Sequence, residues 1–133
     1  MGSLICGIHH VALKCDGTAE FEKTLHFYQN VLGLEPVRSW GEGENAGAML
    51  STGDGLLEIF ASGKKLPQGA IRHFALRTEQ VDDCIAAVRK AGYPITVEPK
   101  DIVIASNPPF PARIAFCTGP VGEQIEFFQE RAL

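Results

Sequence analysis

The chain has 133 residues, 45% of them hydrophobic and 21% charged, with a formal net charge of -4. That is the size and balance of one globular domain with its own core; it excludes a second independent domain, a bilayer-crossing helix and, since Lys and Arg form no cluster, a nucleic-acid surface. The opening Met1-Gly2-Ser3-Leu4-Ile5-Cys6 lacks the charged-then-apolar run of a secretory signal, so a cytoplasmic location is expected.

In chain order, Ile8-His9-His10-Val11-Ala12-Leu13-Lys14-Cys15 reads as a strand. A helix follows on the spacing of Phe21, Leu25, Tyr28 and Leu32, stopped at Gly33 by a residue that tolerates a left-handed C-terminal conformation. Short β-type runs come next over Glu35–Trp40, Gly47–Thr52 and Leu56–Phe60, the last two joined by Gly53-Asp54-Gly55. A linker over Ser62–Gly69 separates this half from a second with the same plan. Ile71-Arg72-His73-Phe74-Ala75-Leu76-Arg77-Thr78 repeats the first strand position by position. Val81, Ile85 and Val88 mark a second helix stopped at Gly92, and strands are expected over Tyr93–Glu98, Arg113–Thr118 and Gln124–Gln129, with Gly119-Pro120-Val121-Gly122 as the last turn. The repeats run from about 5 to 61 and from about 70 to 130. Neither half can bury both faces of its sheet alone, so one domain over 1–133 is expected.

Two residue types stand out at matching places. His10 and His73 lie on the first strand of each half, and Glu58 and Glu126 on the last. A lone histidine in an apolar strand is usually a hydrogen-bonded core residue. The glutamates are harder to explain that way: Leu57 and Ile59 flank one, Ile125 and Phe127 the other, and an unpartnered buried carboxylate costs several kcal/mol or changes its ionisation. A metal cation answers the problem, with His10, Glu58, His73 and Glu126 as its nitrogen and oxygen ligands and, in an octahedral field, two positions left for water or substrate.

Other features keep two readings each. Lys14 and Arg77 lie four residues beyond the histidines, on the same strand face and roughly 13 Å along; they hold an anionic substrate tail or are solvated strand ends. The apolar stretch Ile102–Ala112 covers the site or simply connects strands. His9 points away from His10 by alternation and is not expected to be a ligand, and His26 belongs to a solvated helix face. Cys6, Cys15, Cys84 and Cys117 match no zinc ribbon or redox pair and are expected as buried free thiols.

The segments His10-Val11-Ala12-Leu13, Phe27–Leu34, Leu57-Glu58-Ile59, His73-Phe74-Ala75-Leu76 and Gly119–Glu126 together resemble the vicinal oxygen chelate superfamily, also called the glyoxalase and bleomycin-resistance fold. The resemblance covers nearly the whole chain. It implies an α+β fold of two βαβββ modules forming an open eight-stranded cup with metal on its floor, in a chain that forms a homodimer. A full His, Glu, His, Glu set is most similar to glyoxalase I, the lactoylglutathione lyase; extradiol dioxygenases and fosfomycin-modifying enzymes lack the ligand at Glu58, epimerases often carry glutamine there, and bleomycin-binding members usually lack all four.

The implied function is a metal-dependent isomerase or lyase acting on the thiol hemithioacetal of an α-oxoaldehyde through an enediolate. Nickel, cobalt or zinc would serve as the ion and glutathione as the thiol, with Glu126 as the base and Glu58 serving the opposite face. Glyoxalase I usually shows arginine at the place of Lys14 and asparagine at that of Ser62. An epimerase acting on a different acid, with Lys14 and Arg77 as substrate clamp, and a small-molecule binding or resistance protein are the alternatives.

Overall fold

In the computed structural model, which describes residues 2–64, 69–119 and 123–132, the chain forms eight strands and two α-helices. In order these are β1 (Gly7–Lys14), α1 (Thr18–Leu25), β2 (Glu35–Trp40), β3 (Gly47–Ser51), β4 (Leu56–Phe60), β5 (Ile71–Arg77), α2 (Val81–Lys90), β6 (Ile95–Ile104), β7 (Phe110–Thr118) and β8 (Gln124–Glu130). The fold class is the expected α+β arrangement of two βαβββ modules. By contacts the chain divides into two compact units, one of His10–Arg72 with Ala105–Pro108, the other of the residues up to His9 with His73–Ile104 and those from Pro109 on.

In the unit built on His10–Arg72 the strand order is β2-β3-β4-β1, with β1 and β4 parallel and the other neighbours antiparallel. Period-two alternation sorts each strand into two faces. Leu13, Cys15, Ala48, Leu50, Leu57 and Ile59 point to one face and pack with Phe21 of α1 into a buried core. His10, Ala12, Lys14, Glu58 and Phe60 share the other face, through the registers Ala12↔Glu58 and Lys14↔Phe60.

The helix begins after Gly17, and Glu20 Oε1 accepts the Asp16 backbone N–H at 3.0 Å, a capping contact from its first turn. It then widens into a π-helix over His26–Val31, with the Leu32 N–H reaching the Phe27 carbonyl, before Gly33 turns the chain at φ 80°. That wider turn shifts the phase of the apolar stripe. Leu25 and Tyr28 still pack on the core, but Leu32 is 57% exposed.

Trp40, Gly47 and Phe60 are register partners across β2, β3 and β4. A Cβ at Gly47 would stand 2.4 Å from the indole, which meets Phe60 edge-on at 5.9 Å. Gly47→Ala is expected to displace Trp40 and cost about 1–3 kcal/mol, read as a lower urea midpoint with an unchanged slope.

The second unit repeats the plan in the order β5-β8-β7-β6, again with its outer pair of repeat strands, β5 and β8, parallel. Val81, Cys84 and Ile85 of α2 pack on Ala115, Cys117 and Phe127. Asp82 and Asp83 in its first turn and Arg89 and Lys90 in its last suit the helix dipole. The stretch Ile102–Ala112 is corrected: Ile102↔Ala112, Val103↔Pro111 and Ile104↔Phe110 are hairpin partners, so only residues 105–109 connect strands. The prolines and the Asn107-Pro108 turn masked a strand pairing that period alone would have extended. Residues 65–68 of the linker and 120–122 of the last turn lie outside the described residues. No helix among the described residues is long and apolar enough to cross a membrane.

Candidate functional site

Each unit carries one histidine–carboxylate pair, built the same way, with both carboxylates buried. In the first, the parallel register sets Ala12 beside Glu58, and His10 lies two residues back on the same face. Its Nε2 stands 3.2 Å from Glu58 Oε1, with the side chains 1% and 7% exposed. In the second, Ala75 faces Glu126, and His73 Nε2 stands 3.1 Å from Glu126 Oε1. Ala12 and Ala75 are both fully buried. A larger residue there would fill the space in which the imidazole reaches the carboxylate, which gives the repeated alanine a physical reason.

The next strand also matches. Met49 is the register partner of Glu58 and Phe116 that of Glu126. The Phe116 ring meets the His73 imidazole edge-on at 5.2 Å, and Arg38 donates from Nη1 to Met49 Sδ at 3.6 Å on the row that carries Glu58. The carboxylates are thus walled by apolar groups, where a paired charge interacts more strongly than in water.

Separations of 3.1 and 3.2 Å between nitrogen and oxygen suit an ion pair. They also suit neighbouring ligands of a metal, since two atoms each roughly 2.1 Å from an ion and about 90° apart are roughly 3.0 Å from one another. Both members of each pair are donor types that divalent cations accept. The residues present therefore fit a metal ion.

The cysteines do not compete for that role. Burial pushes the Cys15, Cys84 and Cys117 thiols up, so they stay protonated at neutral pH, where a metal would need the thiolate. Cys6 departs from expectation in being exposed. The segment before β1 follows the strand end through Cys6 N–H to the Arg77 carbonyl, which leaves that side chain at the surface.

Lys14 and Arg77 part company. Lys14 Nζ stands 5.5 Å over the Phe60 ring, its register partner, and lines a cavity of about 570 Å³. The Arg77 guanidinium instead donates to the Cys6 carbonyl at 3.0 Å, which ties it to the N-terminal segment. His26 is exposed, as expected.

Three features escaped sequence reasoning. His9 is 3% exposed, stacks on Phe128 at 4.0 Å and pairs with Glu130 through Nε2 at 2.7 Å. The signal was there, because Glu130 follows Glu126 and Phe128 at period two. Arg38 sits on the Glu58 row after a register shift between Pro36 and Arg38, which no local pattern announces. Arg72 lines the same cavity as Lys14 and has its Nε buried without an acceptor among the described residues.

A family model described as Glyoxalase/Bleomycin resistance protein/Dioxygenase superfamily matches residues 7–127. Curated proteins give no match. Among solved structures the chain is similar to methylmalonyl-CoA epimerase from Mycobacterium tuberculosis, at 18% identity and TM-score 0.74, covering 99% of this chain and 93% of that one. A hypothetical protein from Bacillus halodurans C-125 matches at 18% identity and TM-score 0.70 over 95% of both chains. The Mn(II)-bound glyoxalase from Novosphingobium aromaticivorans matches at 23% identity and TM-score 0.69, covering 99% of this chain and 43% of that one. At these identities the likeness to solved structures is one of fold.

Proposed function

Because the chain belongs to the glyoxalase/bleomycin resistance protein/dioxygenase superfamily, we propose that it is a metal-dependent proton-transfer enzyme of glyoxalase I type, acting on the thiol hemithioacetal of a small α-oxoaldehyde. The observation that carries this is the duplicated pair, His10 with Glu58 and His73 with Glu126. On this reading His10, Glu58, His73 and Glu126 are the ligands of one divalent ion, nickel, cobalt or zinc.

Such an ion, when bound, supplies Lewis-acid polarisation of the substrate's oxygens. The protein's own part is positioning and proton transfer. His10, buried on its strand, and His73, 14% exposed on its own, set the direction of the two carboxylates. Glu126 takes the proton from the carbon next to the carbonyl and returns it to the neighbouring carbon. Glu58 holds the equivalent place on the other repeat and faces the opposite side of the substrate. The apolar walls, Met49 and Phe116, keep water from competing for that proton.

A second reading, an epimerase of a different acid, draws on Lys14. An ammonium turned over Phe60 neutralises a carboxylate as a point charge but lacks the planar fork that arginine offers at the matching place in glyoxalase I. Both readings use the same pairs and the same proton chemistry; they part at the substrate. On either, the chain works on a small molecule, and we propose a homodimer in the cytoplasm as its setting.

Metal content measured by plasma mass spectrometry tests the shared premise. Protein purified and then incubated with nickel, cobalt or zinc is expected to retain about one ion per site, and His10→Ala or His73→Ala to lower apparent affinity at least 10-fold. Wild-type protein that holds none of these ions would overturn the enzyme reading and leave a small-molecule binding protein in its place.

A further inference from the structure

We infer that Arg38 is a specificity-determining residue of the site. Its guanidinium takes an anionic oxygen of the substrate beside Glu58, so that a small α-hydroxy or α-oxo acid is preferred to a neutral compound of the same shape. As a contact for the reacting molecule this role rests on the proton-transfer reading; as an anion contact it does not.

A β-bulge puts Arg38 where it is. Glu35↔Ser51 and Pro36↔Leu50 keep one register across β2 and β3, while Arg38↔Met49 and Ser39↔Ala48 keep another, one residue on. Val37 is the extra residue and is 46% exposed. Had the first register run on unbroken, Val37 would stand opposite Met49, and Arg38 opposite Ala48 of the core. The bulge instead turns Arg38 onto the face of Met49 and Glu58, the re-aiming of a side chain that bulges perform next to active sites.

The second repeat supplies a comparison within the same chain. Ile95↔Cys117 is followed by Val97↔Phe116, so Thr96 is the extra residue of a bulge at the matching place, and Phe116 is in turn the partner of Glu126. One row therefore reads Ala12, Glu58, Met49, Arg38, and the other Ala75, Glu126, Phe116, Val97. Arg38 and Val97 are both half-buried. Valine at this place satisfies the packing of a unit, bulge included, so a cation there is not a requirement of the fold.

Chemistry names the guest. Arg38 Nη1 donates to Met49 Sδ at 3.6 Å, which holds the guanidinium against the side chain that stands between it and Glu58 in the row. Two strand spacings put the Cα atoms of Arg38 and Glu58 roughly 10 Å apart. The arginine side chain spans most of that distance, and a molecule of a few heavy atoms fills the rest. A guanidinium is permanently charged, offers only donors, and grips a carboxylate on two parallel hydrogen bonds. The matching row ends on an apolar side chain, so charge is recognised on one row and not on the other.

Titration followed by ¹H–¹⁵N NMR tests this role. Zinc-incubated protein is titrated with glycolate and, separately, with hydroxyacetone, which carries a methyl group where glycolate carries its anionic oxygen; sodium chloride of equal ionic strength is the blank. Glycolate is expected to give saturable millimolar shifts, with binding at least about 10-fold weaker in Arg38→Val and partly restored in Arg38→Lys, while the hydroxyacetone response is the same in wild type and Arg38→Val. Arg38→Val carries the residue of the second repeat, so its melting midpoint and zinc content should match the wild type. No saturable glycolate shift in the wild type, undiminished glycolate binding in Arg38→Val, or a loss that glycolate and hydroxyacetone share would overturn the assignment. Glycolate binding through Arg38 in a chain that turns over no thiol adduct of methylglyoxal would remove the proton-transfer reading and leave this contact standing. Turnover with glycolate binding undiminished in Arg38→Val would remove only the contact.

Discussion

Exchange of Glu126 for glutamine is expected to lower turnover roughly 10²- to 10⁴-fold while the fold persists. Glutamine keeps the volume of the side chain and an oxygen that can still accept from His73, whose Nε2 lies 3.1 Å from the carboxylate. It cannot take a proton. The loss therefore belongs to the proton-transfer step rather than to packing, and far-ultraviolet circular dichroism should be unchanged. Glu58→Gln is the matched control, because it removes the corresponding carboxylate from a pair of the same geometry at 3.2 Å. If Glu126 is the base and Glu58 chiefly a ligand, the Glu58 variant loses less turnover and more metal affinity. Product formation from methylglyoxal with glutathione and with other thiols, at saturating metal, is the measurement. Intact turnover in Glu126→Gln would end the assignment of that residue as base.

Truncation of Phe128 should have the largest effect on stability. Phe128 is 1% exposed, stacks on His9 at 4.0 Å and meets Phe110 at 5.7 Å. It lies on the face of β8 that carries Glu126, through the register Ala75↔Glu126 and Arg77↔Phe128. Phe128→Ala leaves a cavity whose walls are held by the β5–β8 and β7–β8 ladders and cannot collapse, so the expected loss is about 3–5 kcal/mol. For a chain of this size that corresponds to a melting midpoint lower by about 10–20 °C. Phe128→Leu, which refills most of the space, should recover more than half. A loss below about 1 kcal/mol for the alanine variant would show that the site face of this sheet contributes little to the core.

Most of the fold was legible because it rests on local patterns used twice. The strand Ile8–Cys15 is shifted by one residue from β1, its copy Ile71–Thr78 runs one residue past β5, and Leu56–Phe60 coincides with β4. Where periodicity misled, a local feature displaced it. The π-helix over His26–Val31 carried Leu32 out of the apolar stripe, and prolines in Asn107–Pro111 hid the continuation of β6 and β7. The helix stop at Gly92 stood because φ there is 89°, a conformation glycine adopts freely.

The sequence by itself determined the donor types and their duplication: histidine on the first strand of each half, glutamate on the last, each amid apolar neighbours whose burial a lone carboxylate could not share. It could not say which histidine meets which glutamate. That was decided by the parallel registers Ala12↔Glu58 and Ala75↔Glu126, which join strands far apart in the chain and depend on cores formed by Phe21 in one unit and Ile85 in the other. Tertiary structure likewise separated Lys14 from Arg77, which local spacing treats alike. One strand end closes on the Ala61–Gly63 segment and a cavity, while the other is taken by the Cys6 carbonyl. Spacing along a strand sets the face of a side chain; the chain that packs beside it sets what that side chain touches.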